Sequence, residues 1–421
     1  IGPENQDGAH EAMDIAIDAG VIREIGPSLS PAAGDEIIEC AGKIVCAGFV
    51  DLWTRVGEPG FEFREDISSS TQAGAAGGFV ALCAVPDSNP INDTRAVTEL
   101  IKAKATAACG TQVWPMAALT VGLAQERLSE LGELADVGAV AACTADAWLS
   151  DSGLMRRGLE YARTFGLPVV VKPVDAALAA HGIAHESPLA TRLGLAGVPV
   201  AAETAALARD LELAALTGAR IIVSHVSSAR GVELIAAAKA SGVNVVATVT
   251  ANHLALDESA CSEYDPAAKL LPPLRSQQDC EALRQGLASG VIDCVVSDHD
   301  PKAIVDKEHE FADASPGAVG LEMVAAVVWS LVESGALTEA RAVDALCRAP
   351  RRALRAGDGI LREGERADLC VLDPAERWKV DPQALHSKSK STPLAGLELV
   401  GRVTHTVVSG QKVFDREVHR D

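Results

Sequence analysis

Aromatic side chains are scarce, with Trp, Tyr and Phe making up only 3% of 421 residues. A core of useful size must therefore be built from Ala, Val, Leu and Ile, which favours closely packed parallel strands and Ala-rich helices. Basic charge is short as well: 37 Lys and Arg face 58 Asp and Glu, for a formal charge of −21. A surface of that sign repels nucleic acid and anionic membranes, so neither is expected as a partner. No apolar run approaches the roughly 18 residues that a membrane span needs. The nearest, residues 323–332, is short, follows Glu322 and reads as a buried helix. No signal peptide is recognisable, so a cytoplasmic location is expected. The chain begins at Ile1 without an initiator Met, and a start outside these residues is expected. Ten cysteines include no Cys-x-x-Cys pair; in apolar settings such as Leu82-Cys83-Ala84 they read as reduced, mostly buried thiols.

What is present changes character along the chain. Short alternating segments with close Gly and Pro turns, Met13-Asp14-Ile15-Ala16-Ile17 and Glu36-Ile37-Ile38-Glu39-Cys40, predict antiparallel strands near the start. Ala367 to Leu372, Leu399 to Val408 and Gln411 to Phe414 do the same near the end. Residues 1–45 and 361–421 are thus expected to form one composite β-rich domain, a small β-sandwich. Between them, residues 46–360 alternate apolar runs with Ala-rich amphipathic stretches. The runs include Phe79-Val80-Ala81-Leu82, Val169-Val170-Val171, Ile221-Ile222-Val223 and Cys294-Val295-Val296. Repeated βα units of this length predict an α/β (β/α)8 TIM barrel. A doubly wound sheet is the alternative, but no Gly-x-Gly-x-x-Gly turn follows a predicted strand. In a barrel, chemistry gathers at the C-terminal strand ends.

Read in order, those ends resemble the long, bacterial type of dihydroorotase in the amidohydrolase superfamily. The resemblance covers nearly the whole chain. It rests on Gly48-Phe49-Val50-Asp51-Leu52, Phe63-Arg64-Glu65-Asp66-Ile67, Val85-Pro86-Asp87-Ser88-Asn89-Pro90, Ser224-His225-Val226-Ser227-Ser228, Ser297-Asp298-His299-Asp300-Pro301 and Ser387-Lys388-Ser389, with shorter matches between. It implies a zinc hydrolase closing carbamoyl aspartate to dihydroorotate. The implied ligands are His-x-His after the first strand, an acid or modified Lys after the fourth, His after the fifth and sixth, and Asp after the eighth.

Carried over by position, most of that machinery is missing. The His-x-His positions hold Trp53 and Arg55, the fifth-strand His position holds Lys172, and only His225 and Asp298 clearly remain. A guanidinium has no acceptor and does not lose its proton, and an ammonium binds zinc only after an unfavourable deprotonation. Two protein ligands do not close a catalytic zinc site, so no metal is expected and Asp298 is vestigial. The fourth-strand acid is either Asp146 or none. The former substrate-binding positions are Gly57, where the family carries Arg, Asp87 in place of Asn, and Lys302 in place of His. Trp53 is expected to fill the emptied space, and Arg55 or Lys172 to supply the counter-charge for a buried Asp298.

Three functions compete. One is a non-catalytic dihydroorotase-like subunit of pyrimidine biosynthesis, homo- or hetero-oligomeric, which the resemblance implies as the structural partner of aspartate transcarbamoylase. Another is an active dihydroorotase or related cyclic amidohydrolase with an atypical site, drawing on Asp146, His225, His253 and Asp298. The last is a metal-free binding module in which Arg55, Lys172 and Lys302 attract an anion, opposed by Asp87, Asp298 and Asp300. Glu203 is expected to cap a helix or to pair within the barrel, and the charged run 306–310 to be a solvated loop.

Overall fold

A computed structural model describes residues 12–108 and 110–418. Eight parallel strands close a barrel. In order they are Phe49–Thr54, Phe79–Ala84, Gln112–Pro115 continued by Ala117–Ala118, Ala142–Cys143, Val169–Val171, Ile221–Val223, Val245–Thr250 and Cys294–Val296. The last meets the first through the Thr54–His299 bridge, where Arg55 N donates to His299 O at 2.9 Å. That closure excludes the doubly wound alternative. Period-two alternation sorts the strand residues: Val50, Leu52, Ala81, Cys83, Val170, Ile222, Cys294 and Val296 fill the interior. Their neighbours Val169, Val171, Ile221, Val223 and Val295 pack outward against the helices. The interior is otherwise aliphatic around Trp53, and the buried Phe49 and Phe79 of the first two strands pack on the outer, helix-facing side.

Asp51 locks the seam between the first and eighth strands. It accepts hydrogen bonds from Ser297 N at 3.0 Å, Ser297 Oγ at 2.5 Å and Thr54 Oγ1 at 2.5 Å. Burial raises its pKa, and the two hydroxyls partly offset the rise. Around the barrel, the Ala-rich stretches expected to be helical form Val200–Thr217 and Ala229–Ala240. The apolar segment near 323–332 is the buried helix Val324–Glu333, as expected.

The chain's two ends share one antiparallel sheet, ordered Gln411–Asp415, Glu398–Val408, Leu369–Lys379, Ile44–Ala47. A hairpin of Asp14–Asp18 and Val21–Gly26 hooks onto its base, with Ile22 N donating to Glu365 O at 2.9 Å. One expected strand is absent: residues 36–40 are irregular, and Ile37, 62% exposed, has no strand beside it to cover it. Apolar alternation there lacked a partner. Of the cysteines described, all are free thiols and all but Cys40 are buried; Cys109 lies outside the described residues.

Candidate functional site

The residues singled out at the strand ends converge on one mouth of the barrel. Trp53, near the end of the first strand, is fully buried, and its ring meets the His225 imidazole edge-on at 4.8 Å between centroids. Arg55 Cζ and Lys172 Nζ sit 5.8 and 5.6 Å from the same ring. The indole thus occupies the centre of the mouth, and its Nε1 is buried without a hydrogen-bond partner.

Arg55 reaches three loops at once. Nε lies 2.7 Å from Asp87 after the second strand, Nη2 2.6 Å from Asp146 after the fourth, and Nη1 3.2 Å from Asp300 after the eighth. Lys172, only 3% exposed, takes the other oxygen of Asp146 at 2.9 Å, and Lys302 takes the other oxygen of Asp300 at 2.7 Å. Burial opposes the charge on Arg55, but Asp146, Asp300 and Asp87 outweigh it and lift its pKa well above the ordinary value. Burial likewise works against ionisation of Asp146, yet Arg55 and Lys172 hold its carboxyl well below the usual range, although 38% of the side chain reaches solvent. Asp146, the acid that follows the fourth strand, thus faces two cations.

Asp298 is the correction. Neither Arg55 nor Lys172 forms an ion pair with it; its neighbour is His225, with Nε2 3.0 Å from Oδ1 and off the line of a good hydrogen bond. The two cations are spent on acids that lie farther out in the mouth, and His225 stands beside Asp298. Burial lowers the His225 pKa more than Asp298 raises it, which keeps the imidazole neutral. Asp298 is also buried, but His225 holds its carboxyl below the ordinary value. Both residues have left-handed backbones, φ +61° and +49°, and Ser224 Oγ lies 2.7 Å from His225 Nδ1.

At Gly57, where the resemblance implies an Arg, the backbone itself resists a side chain. Its φ is +71°, and a Cβ there would stand 2.1 Å from the carbonyl oxygen of Glu65. Any other residue requires the loop to move. Beside it a cavity of about 170 Å³ is lined by Phe61, Val85, Arg55, Asp146 and Lys302.

Two motifs far apart in sequence meet behind the mouth. Glu65, fully buried, accepts from Ser69 and Ser387 hydroxyls and from Lys388 N at 3.2 Å, with His299 Nε2 at 3.5 Å. Glu203 pairs within the barrel as expected, accepting from Ser227 and Ser228. Arg275, which no motif marked, is buried and donates to Val198 O at 2.6 Å and to Ser227 Oγ at 3.2 Å. The charged run 306–310 is not simply solvated: Asp306 pairs with Arg64 at 2.9 Å, and Lys307 donates to Pro266 O.

The zinc implied by the family does not fit these residues. Two of the positions that would ligate it carry obligate or strongly favoured cations, a third is an indole, and His253 has both ring nitrogens engaged, with Thr250 Oγ1 at 2.7 Å and Pro273 O at 3.3 Å. Among the described residues no three His, Cys, Asp or Glu side chains converge to hold an ion.

The closed barrel, its strand-end mouth and the sheet shared by both chain ends define an amidohydrolase fold. An L-hydantoinase (dihydropyrimidinase) from Arthrobacter aurescens superposes with a TM-score of 0.85 at 26% identity, covering 96% of this chain and 92% of that one. The amidohydrolase family model matches residues 200–414, and the dihydro-orotase-like model matches residues 42–231. The chain is 43% identical over 410 residues to a dihydroorotase of Anaeromyxobacter sp. (strain K), covering 97% of this chain and 95% of that protein. It is 41% identical over 407 residues to a dihydroorotase of Syntrophotalea carbinolica, covering 97% and 96%. The chain belongs to the dihydroorotase family. No described helix is long and apolar enough to cross a membrane.

Proposed function

We propose that this member of the dihydroorotase family is non-catalytic, binds no zinc, and serves in the cytoplasm as a structural subunit for aspartate transcarbamoylase in pyrimidine biosynthesis. The observation that carries the reading is Arg55, a permanent cation at a ligand position, held by carboxylates from three loops. Replacing it by a metal would require breaking three ion pairs and expelling a buried indole from beside His225. The closed barrel and shared sheet support the structural half, since packing and not chemistry maintains them. Asp298 is then a remnant, and Gly57, Asp87 and Lys302 mark where substrate contacts stood.

A second reading is favoured by the relatives themselves, which bear the name dihydroorotase and align along nearly the whole chain. On that reading the protein is an active dihydroorotase or related cyclic amidohydrolase that works with His225, Asp298 and an unfamiliar set of helpers. Zinc content by mass spectrometry and dihydroorotate turnover of the same preparation separate the two. The non-catalytic reading expects substoichiometric zinc and no turnover above the blank; stoichiometric zinc with turnover selects the second. Co-purification with the aspartate transcarbamoylase catalytic subunit, and loss of its assembly without this chain, test the partner.

A further inference from the structure

Three cations and three carboxylates close on one another in the mouth: Arg55, Lys172 and Lys302 against Asp87, Asp146 and Asp300. They come from the loops after the first, second, fourth, fifth and eighth strands, so five of the eight strand ends are tied together. Every pair is 3.2 Å or shorter, and none of the six side chains is more than 38% exposed. We propose that Arg55 is a built-in replacement for a metal ion, the cation that holds the mouth loops of this barrel in register. The inference rests on the metal-free reading above.

The argument is one of charge and geometry. Carboxylates from separate loops that face one point repel each other unless a cation sits between them. A guanidinium suits the task because its donors fan out in one plane; here three different nitrogens each take a different acid. Lys172 and Lys302 then satisfy the second oxygens of Asp146 and Asp300, leaving the network neutral. The cluster does not reach Asp298, which keeps its own partner in His225. The guanidinium thus serves the more exposed acids of the mouth and not Asp298, with Trp53 filling the interior beside it. Removing Arg55 alone would leave three acids against two lysines, a net negative charge around the space that the guanidinium fills.

Thermal unfolding tests this on the full chain, as wild type, Arg55→Ala and Arg55→Gln/Asp87→Asn, each in EDTA and in millimolar manganese(II). The double variant keeps the cluster neutral, with Lys172 on Asp146 and Lys302 on Asp300. Wild type is expected to unfold at one temperature in both buffers. Arg55→Ala should unfold roughly 5 °C lower in EDTA and recover at least half of that loss with manganese. The double variant should lie closer to wild type and ignore manganese. An Arg55→Ala protein as stable as wild type, or one that gains no more from manganese than wild type does, overturns the proposal. If Arg55→Ala does not fold, a double variant that also fails, or that responds to manganese, overturns it; one that folds and does not respond upholds it. Zinc content and turnover of the wild type judge the functional reading, whereas the manganese response of the variants judges this one.

Discussion

At the scale of single residues, Gly57 carries a backbone that other residues resist. With φ at +71° and the Glu65 carbonyl oxygen 2.1 Å from where a Cβ would stand, Gly57→Ala must shift the loop that also presents Glu58 to Lys104. We expect a loss of roughly 2 kcal/mol, read as a lower melting temperature, and no gain of turnover from Gly57→Arg. An Ala variant as stable as wild type would show that the loop yields freely. Asp210 gives a pH-dependent case away from the mouth. It is fully buried in the helix Val200–Thr217, with Arg209 at 2.8 Å and Trp148 Nε1 donating at 3.1 Å. Burial outweighs both partners and raises its pKa to about 6. Because the folded value lies above the unfolded one, its contribution is intact below the ordinary carboxyl range and is lost as pH rises through about 6. Asp210→Asn, which stays neutral, should therefore stabilise the protein by about 2 kcal/mol near pH 8 and change little near pH 3.5. Denaturant melts at both pH values check the sign, and an equal effect at both would rule this origin out.

At the scale of elements, strands and helices were legible because apolar period and turn chemistry act locally. Phe79–Ala84, Ile221–Val223 and Cys294–Val296 stand where their β-branched and small apolar runs place them. Residues 36–40 show the limit: alternation does not supply a neighbouring strand, and Ile37 stays exposed. Ion-pair choice was less legible still. The sequence displayed the charges of Arg55, Lys172 and Asp298 but not the distances between loops, so the expected pairing with Asp298 failed while Asp87, Asp146 and Asp300 took the cations. Arg275 left no local signal, because its acceptors come from residues 185, 198 and 227. It straps the excursion after the fifth strand, which holds the short strands Ala184–His185 and Gly197–Val198 and the helix Pro188–Leu193. Arg275→Met should loosen that excursion without opening the barrel. Trypsin is then expected to cut after Arg192 roughly tenfold faster, since charged hydrogen bonds to Val198 and Ser227 are lost. An unchanged cleavage rate would remove Arg275 from this role.

At the scale of the molecule, barrel and composite sheet are joined by contacts that leave neither a separate surface. Gly48 N donates to Asp368 O at 3.0 Å, Thr406 Oγ1 donates to Ala75 O at 2.6 Å, and Cys347 Sγ donates to Ala47 O at 2.9 Å. The helix Val324–Glu333 lies between them, with Ser330 Oγ accepting from Val400 N at 3.1 Å. Trp329, 2% exposed, packs under Gly401, whose φ is +86° and whose absent Cβ would stand 2.6 Å from the Trp329 Cβ. Gly401→Ala therefore strains the sheet and pushes on the barrel's helix at once, at a cost of roughly 1–3 kcal/mol. Because the core runs through this junction, the strain should lower the unfolding of both parts together. Hydrogen exchange read by mass spectrometry along a temperature series is the measurement. Peptides from the first barrel strand, Phe49–Thr54, and from the sheet strand Glu398–Val408 should lose protection at one shared temperature, a few degrees below wild type. If the sheet peptide opens early while the barrel peptide keeps its wild-type temperature, the two are separate cooperative units and the shared sheet is an attachment, not part of the core.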